Sequence, residues 1–120
     1  FTIAGDDIIN YIEFNFVGNQ LTNGLLDASE KSTFHFDVFI PGDVAGAQLK
    51  VGLRDFGADG AEGGGDDFEI PMIITSFTAG AWNSFDMPLG SANRANLGFI
   101  VWEDNGSTLN NLYIDNIYFY

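Results

Sequence analysis

Short segments in which apolar and polar residues alternate with a period of two recur along the whole chain, separated by turn-forming residues. In TFHFDVFI the alternation points Phe34, Phe36, Val38 and Ile40 to one side and His35, Asp37 and Phe39 to the other. In QLKVGLRDF the inward residues are Leu49, Val51 and Leu53, and the outward ones are Lys50, Gly52 and Arg54. A period of two indicates strands that bury one face.

INYIEFNFV predicts another such strand, with Ile12, Phe14 and Phe16 toward the core and Tyr11, Glu13 and Asn15 outward. Further candidates are FEIPMII, WNSFDMPL, NLGFIVW and NLYIDNIYFY, whereas DASEKS is too short and polar for a helix and predicts a turn. Strands at intervals of roughly 8–12 residues are typical of sandwiches. The sequence therefore predicts an all-β fold, an antiparallel two-sheet β-sandwich that is most simply a jelly roll.

Size and charge limit the possible functions. The 120 residues fit one domain, 1–120, and the start at Phe1 without Met or signal peptide leads us to expect a piece of a longer, secreted or cell-surface protein. Four Lys and Arg against 17 Asp and Glu give a formal charge of −13, which repels nucleic acid and anionic lipid and favours a monomer. Apolar runs fall short of the roughly 20 residues of a membrane span. The absence of cysteine excludes disulfides.

Four stretches carry a resemblance: TFHFDVFIPGD, KVGLRDFGADGAEGGGDDFEI, TAGAWNSFDMPL and LYIDNIYFY. They resemble the jelly-roll carbohydrate-binding modules attached to polysaccharide-degrading enzymes of marine Bacteroidetes, over roughly Tyr11 to Tyr120. The resemblance implies a sugar-binding sandwich with a structural calcium ion and a catalytic module elsewhere in the parent chain. The sequence departs from the family in two ways: Phe39 stands where Trp is usual, and the family's first strand would lie upstream of Phe1.

The loop DFGADGAEGGGDDFEI holds five glycines and six carboxylates in residues 55–70. Counted from Asp55, the spacing of Asp59, Gly60 and Asp66 approaches that of a twelve-residue calcium loop. Position 3 is glycine, position 12 is Asp rather than Glu, and strands flank the loop instead of helices. The alternative is a solvated acidic loop, or the rim of a ligand site, with glycines at positive φ.

Asp115 is a second candidate calcium ligand, because in the modules that this chain resembles an acidic residue on the last strand often joins oxygens from the first strands. Asp6, Asp7 or Asp27 would then be its partners. The alternative is that Asp115 accepts backbone hydrogen bonds at a strand bulge.

Sugar binding needs an aromatic ring to stack on the apolar side of a pyranose and planar polar groups to pair with its hydroxyls. The candidates, expected to converge on one concave sheet, are Tyr11, Glu13, Asn15, His35, Asp37, Phe39, Lys50, Arg54 and Trp102. Trp82 is predicted to be core, and Trp102 either core or a stacking platform. His35 and Asp37 have the alternative of hydrogen-bonding within the sheet, and Arg54 that of a surface ion pair with Asp55.

An enzyme is the less favoured reading. His35 and Asp37 lack an obvious nucleophile, and Glu13 with Asp37 is the only carboxylate pair we consider for glycoside hydrolysis. The sequence favours a non-catalytic module that binds a neutral β-glucan of the β-1,3 type, such as laminarin, or of the mixed-linkage type. The alternatives are a marine galactan-binding module and a structural or adhesive domain of a cell-surface protein.

Overall fold

The computed structural model describes residues 2–3 and 5–120, and every regular element in it is a β-strand. The ten strands are β1 (Thr2–Ile3), β2 (Asp6–Asp7), β3 (Ile9–Ile12), β4 (Phe16–Gln20), β5 (Thr33–Phe39), β6 (Leu49–Asp55), β7 (Phe68–Ile74), β8 (Trp82–Pro88), β9 (Leu97–Glu103) and β10 (Asn111–Phe119). The described residues contain no helix long and apolar enough to cross a membrane.

Two four-stranded antiparallel sheets form the body of the protein. The first sheet has the order β3-β10-β5-β8 and the second has the order β4-β9-β6-β7, while β1 and β2 form a separate two-stranded pair. The prediction of an all-β antiparallel sandwich is confirmed. The predicted turn at DASEKS is also confirmed, since the Asp27 carboxylate accepts the Ser29 N–H there and Lys31 N–H donates to Ala28 O.

The core lies between the two sheets and follows the period of two. Phe34, Phe36 and Val38 of β5 are fully buried, as are the predicted inward residues of β6. Trp102 of β9 joins them, with its ring 5.3 Å from that of Phe36 and nearly perpendicular to it. Edge-to-face packing of this kind suits the charge distribution of aromatic rings. The alternation in the central strands is therefore set by burial of one face.

INYIEFNFV is not the single strand that its alternation predicts. The chain leaves the first sheet after Ile12 and enters the second sheet at Phe16, so that Ile12 and Phe16 are exposed and only Phe14 is buried. Glu13 lies at the break with φ 54°, a left-handed conformation that is uncommon outside glycine. The Phe14 N–H donates to Asn110 O, outside either ladder. Alternation alone could not predict this transfer between sheets, because both halves keep a period of two.

Candidate functional site

The structure does not bring the nine predicted ligand-binding residues to one surface. It divides them among four places. His35, Asp37 and Phe39 are on the outward face of the first sheet, Lys50 and Arg54 on the outward face of the second sheet, Tyr11 and Trp102 against the core, and Glu13 and Asn15 in the link between β3 and β4. The expected convergence is therefore wrong, since adjacent strands of the chain often belong to different sheets.

Trp102 is a core residue, not a surface platform. Its side chain is 0% exposed, and its indole N–H donates to Asn19 Oδ1 at 2.7 Å. The same oxygen accepts the Tyr11 hydroxyl at 2.9 Å. The Tyr11 ring in turn lies 5.9 Å from that of Phe14 in a stacked arrangement. Tyr11 and Trp102 thus satisfy their polar atoms inside the sandwich, as buried Tyr and Trp usually do.

The prediction that Trp82 is a core residue is wrong, because its side chain is 45% exposed. It is the first residue of the edge strand β8 and lies opposite Phe39 in the register. Phe39 lies opposite Tyr113 of β10, with ring centroids 5.6 Å from Trp82 and 6.0 Å from Tyr113. We call Trp82, Phe39 and Tyr113 the tryptophan cluster. It places three aromatic rings in one row across the first sheet.

A second aromatic group occupies the other end of the same face. The His35 ring stacks on Tyr118 at 4.6 Å between centroids, and Tyr118 lies 6.0 Å from Tyr120. Tyr118 is 48% exposed and Tyr120 is 53% exposed. We call His35, Tyr118 and Tyr120 the tyrosine cluster. The His35 Nδ1 also lies 2.7 Å from Asp86 Oδ1 on the neighbouring strand β8.

Polar side chains fill the space between the two clusters. Asp37 lies opposite Ser84 on one side and Asp115 on the other. A bulge in β10 after Asp115 places Asn116 at φ 51°, and its side-chain amide donates to Asp37 Oδ2 at 2.7 Å. Asp115 Oδ1 accepts the Asn116 N–H at 2.7 Å, which is the alternative role considered for Asp115. We call Asp37, Ser84, Asp115 and Asn116 the polar centre.

Asp37 is the least satisfied member of the polar centre. Its Oδ1 is buried without a hydrogen-bond partner among the described residues and lies 3.4 Å from His35 Nε2. Burial acts to raise the pKa of Asp37, but the Asn116 amide, the Ser84 hydroxyl and the His35 ring together hold it below its ordinary value. Asp37 is therefore a carboxylate at neutral pH.

Lys50 and Arg54 cannot contribute to this face. On the second sheet, Lys50 Nζ lies 3.0 Å from a Glu69 oxygen and 3.3 Å from a Glu103 oxygen. The hydrogen bond to Glu69 and the two carboxylate charges outweigh desolvation and raise the pKa of Lys50. Asp55 does not form the predicted ion pair with Arg54. It is buried, and its carboxylate accepts backbone N–H groups instead.

The acidic loop is organised by hydrogen bonds from its own backbone. Asp55 accepts the Gly57 N–H with Oδ1 and the Asn96 N–H with Oδ2, both at 2.9 Å. Asp66 Oδ2 accepts the Ala58 and Asp59 N–H groups. A methyl group at Gly57 would collide with the Asp66 carboxylate, so the glycine at this positive-φ position makes room for it. These contacts account for the Asp and Gly spacing of the loop.

The calcium prediction depends on the carboxylate oxygens of the loop that these hydrogen bonds leave free. Asp59 Oδ2 and Asp66 Oδ1 both lie beside Gly64, whereas Asp115 is in the polar centre of the first sheet. Within the part of the chain that the structure describes, no three His, Asp or Glu side chains are grouped so as to hold a metal ion. Asp55 has both oxygens engaged, so a calcium ion in this loop would depend on Asp59, Asp66 and Asp67, whose Oδ1 is buried without a hydrogen-bond partner among the described residues, and on backbone carbonyls.

A cleft of about 460 Å³ lies beyond the tryptophan cluster. The loops that follow β5 and precede β10 form it, with Pro41, Asp43, Thr108 and Asn110 in its lining. Ile40, which also lines it, directly follows Phe39 of the tryptophan cluster. The cleft therefore lies at the end of the first sheet where β5 ends and β10 begins.

Sequence reasoning missed Trp82, Tyr113, Asn116, Tyr118 and Tyr120 as members of this face. A signal was present in NLYIDNIYFY, where the inward residues Leu112 and Ile114 are followed by Ile117 and Phe119. The step of three between Ile114 and Ile117 marks an extra residue, which is what a bulge inserts. Beyond it, the outward positions change from odd to even numbers.

Comparison of the chain with protein families, with curated proteins and with solved structures found no match.

Proposed function

We propose that this chain is a non-catalytic carbohydrate-binding module, which holds a catalytic module of the same secreted or cell-surface protein on a polysaccharide. The observation that carries the proposal is the outward face of the first sheet, where exposed aromatic rings stand on both sides of planar polar groups. Aromatic rings stack on the apolar side of pyranoses, and carboxylate and amide groups pair with their hydroxyls. The strand order supports assigning a jelly roll. If the eight strands β3 to β10 are renumbered 1 to 8 in chain order, the first sheet has the order 1-8-3-6 and the second sheet has the order 2-7-4-5.

The charges favour a neutral ligand. None of the four Lys and Arg residues belongs to a strand of the first sheet, and Asp37, Asp86 and Asp115 all do. Arg94 donates to five backbone carbonyls, three in the turn before β5 and two in the loop after β8, and so does not join a binding cluster. Sulfated and uronic chains would meet only negative charge. A β-1,3 or mixed-linkage glucan is therefore the ligand we propose, with a marine galactan as the second choice.

Affinity gel electrophoresis with laminarin, lichenan, xylan, agar and alginate tests the proposal. We expect retardation by laminarin or lichenan without release of reducing sugar. Retardation by agar instead would favour the galactan, and turnover of any polymer would indicate an enzyme. Migration unchanged by all five polymers would contradict the proposal and favour a structural or adhesive domain.

A further inference from the structure

We infer that the face of the first sheet binds an extended stretch of a polysaccharide chain, which lies along the strands and contacts both aromatic clusters at once. This inference rests on the proposed function, because it takes the face to be a sugar site. It goes further by giving the direction of the ligand and by predicting that affinity depends on the length of the chain.

The first step is the separation of the two clusters. Phe39 of the tryptophan cluster and His35 of the tyrosine cluster are four residues apart on β5. At a rise of about 3.3 Å per residue this places them ~13 Å apart along the strand. Trp82 and Asp86 repeat the same spacing on β8, since they are the register partners of Phe39 and His35. A single pyranose ring cannot contact both clusters.

The second step is the chemistry of the interval. Between the clusters the face changes from aromatic to polar, with the Asp37 carboxylate and the Asn116 amide hydrogen-bonded to each other at 2.7 Å. Asp37 Oδ1 is buried and lies 3.4 Å from His35 Nε2, whereas Ser84 and Asn116 are exposed. A sugar unit that joins two stacked units would present hydroxyl groups here, and the Ser84 hydroxyl and the Asn116 amide can pair with them.

The third step is the consequence for affinity. Units that stack on the two clusters belong to one chain, so binding at the first cluster raises the effective concentration of the chain at the second. Affinity should rise with chain length until one oligosaccharide spans both clusters, and should then level off. Removal of either cluster should abolish this rise and leave only the affinity of a short oligosaccharide.

Titration calorimetry on the whole chain with an oligosaccharide ladder tests this inference. The ladder, from disaccharide to heptasaccharide, is prepared from whichever of laminarin, lichenan or agarose retards the protein. Trp82→Ala and Tyr118→Ala should each weaken heptasaccharide binding roughly tenfold or more, by analogy with base–aromatic stacking. Each variant should then bind the heptasaccharide little better than the disaccharide.

Phe16→Ala is the matched control, because Phe16 is an exposed aromatic residue of the second sheet. It should leave the affinity at every length unchanged, and thermal unfolding confirms that each variant is folded. Affinity that stays level from the disaccharide upward, or unchanged heptasaccharide binding by Tyr118→Ala, would overturn the two-cluster arrangement while the proposed function stands. If the wild-type protein binds none of the three polymers, both proposals fail.

Discussion

At the scale of single residues, the two tryptophans have different roles: Trp102 packs in the core, and Trp82 belongs to the proposed binding face. Trp102 is buried with its N–H bonded to Asn19, and Trp82 is half-exposed beside Phe39. Trp102→Ala should lower the free energy of unfolding by roughly 3–5 kcal/mol, because it leaves a cavity in the core. Trp82→Ala should instead cost about 1–3 kcal/mol of polysaccharide affinity, by analogy with base stacking. Thermal unfolding and affinity gels on both variants check this. An unstable Trp82→Ala variant with full affinity would contradict the assignment.

Asp37 links stability to pH. Its folded pKa lies below the ordinary value of 3.8, so its contribution to stability is present above that value and is lost as the pH falls through the folded pKa. Asp37→Asn should therefore destabilise the protein most above about pH 5, and the difference from wild type should shrink in stronger acid. Thermal unfolding of both proteins between neutral and acid pH measures the difference. A difference independent of pH would show that the ionised carboxylate is not what stabilises this site.

At the scale of elements, Asp55 fastens the acidic loop to the segment before β9. It is buried, and its two oxygens accept N–H groups of Gly57 and Asn96. Asp55→Ala leaves buried donors unpaired, and each such donor costs roughly 1–3 kcal/mol. Asp43→Ala is the control, because Asp43 is exposed, lies outside this loop and accepts the Ala45 N–H; its effect should stay within about 0.5–1 kcal/mol. Urea unfolding gives both values, and equal losses would refute the special role of Asp55.

Chelation experiments on the same loop would test the calcium prediction. An ion bound to the remaining oxygens of Asp59 and Asp66 would stabilise only the folded state, so chelation should lower the melting temperature. Asp59→Ala should then abolish the effect of EDTA, whereas Asp115→Ala should not, because Asp115 lies on the first sheet. A thermal transition unchanged by EDTA, together with no metal in elemental analysis, would exclude calcium.

At the scale of the whole molecule, the sequence predicts the layers better than the surface. Strands β5 and β6 could be predicted because burial of a single face imposes an alternation on each, broken only at Gly52, which the Glu69 side chain covers. The binding face could not, because its composition depends on three non-local features. These are the transfer of the chain between sheets at Glu13, the bulge at Asn116 and the edge position of β8, which exposes Trp82. Each moves side chains to another surface, and of the three only the bulge changes the local period, through the step of three from Ile114 to Ile117.

The charge of −13 also makes a prediction for the whole molecule. A neutral glucan that binds by stacking and hydroxyl hydrogen bonds exchanges no counterions, so its affinity should hardly change with ionic strength. A polyanion is repelled at low salt, and screening at about 1 M salt would only weaken that repulsion. We therefore expect laminarin to retard the protein equally at low and high salt, and alginate to leave its migration unchanged at low salt. Binding that falls steeply with added salt would instead mean that Lys50, Arg54 or another cation contacts a charged ligand, and would move the site to the second sheet.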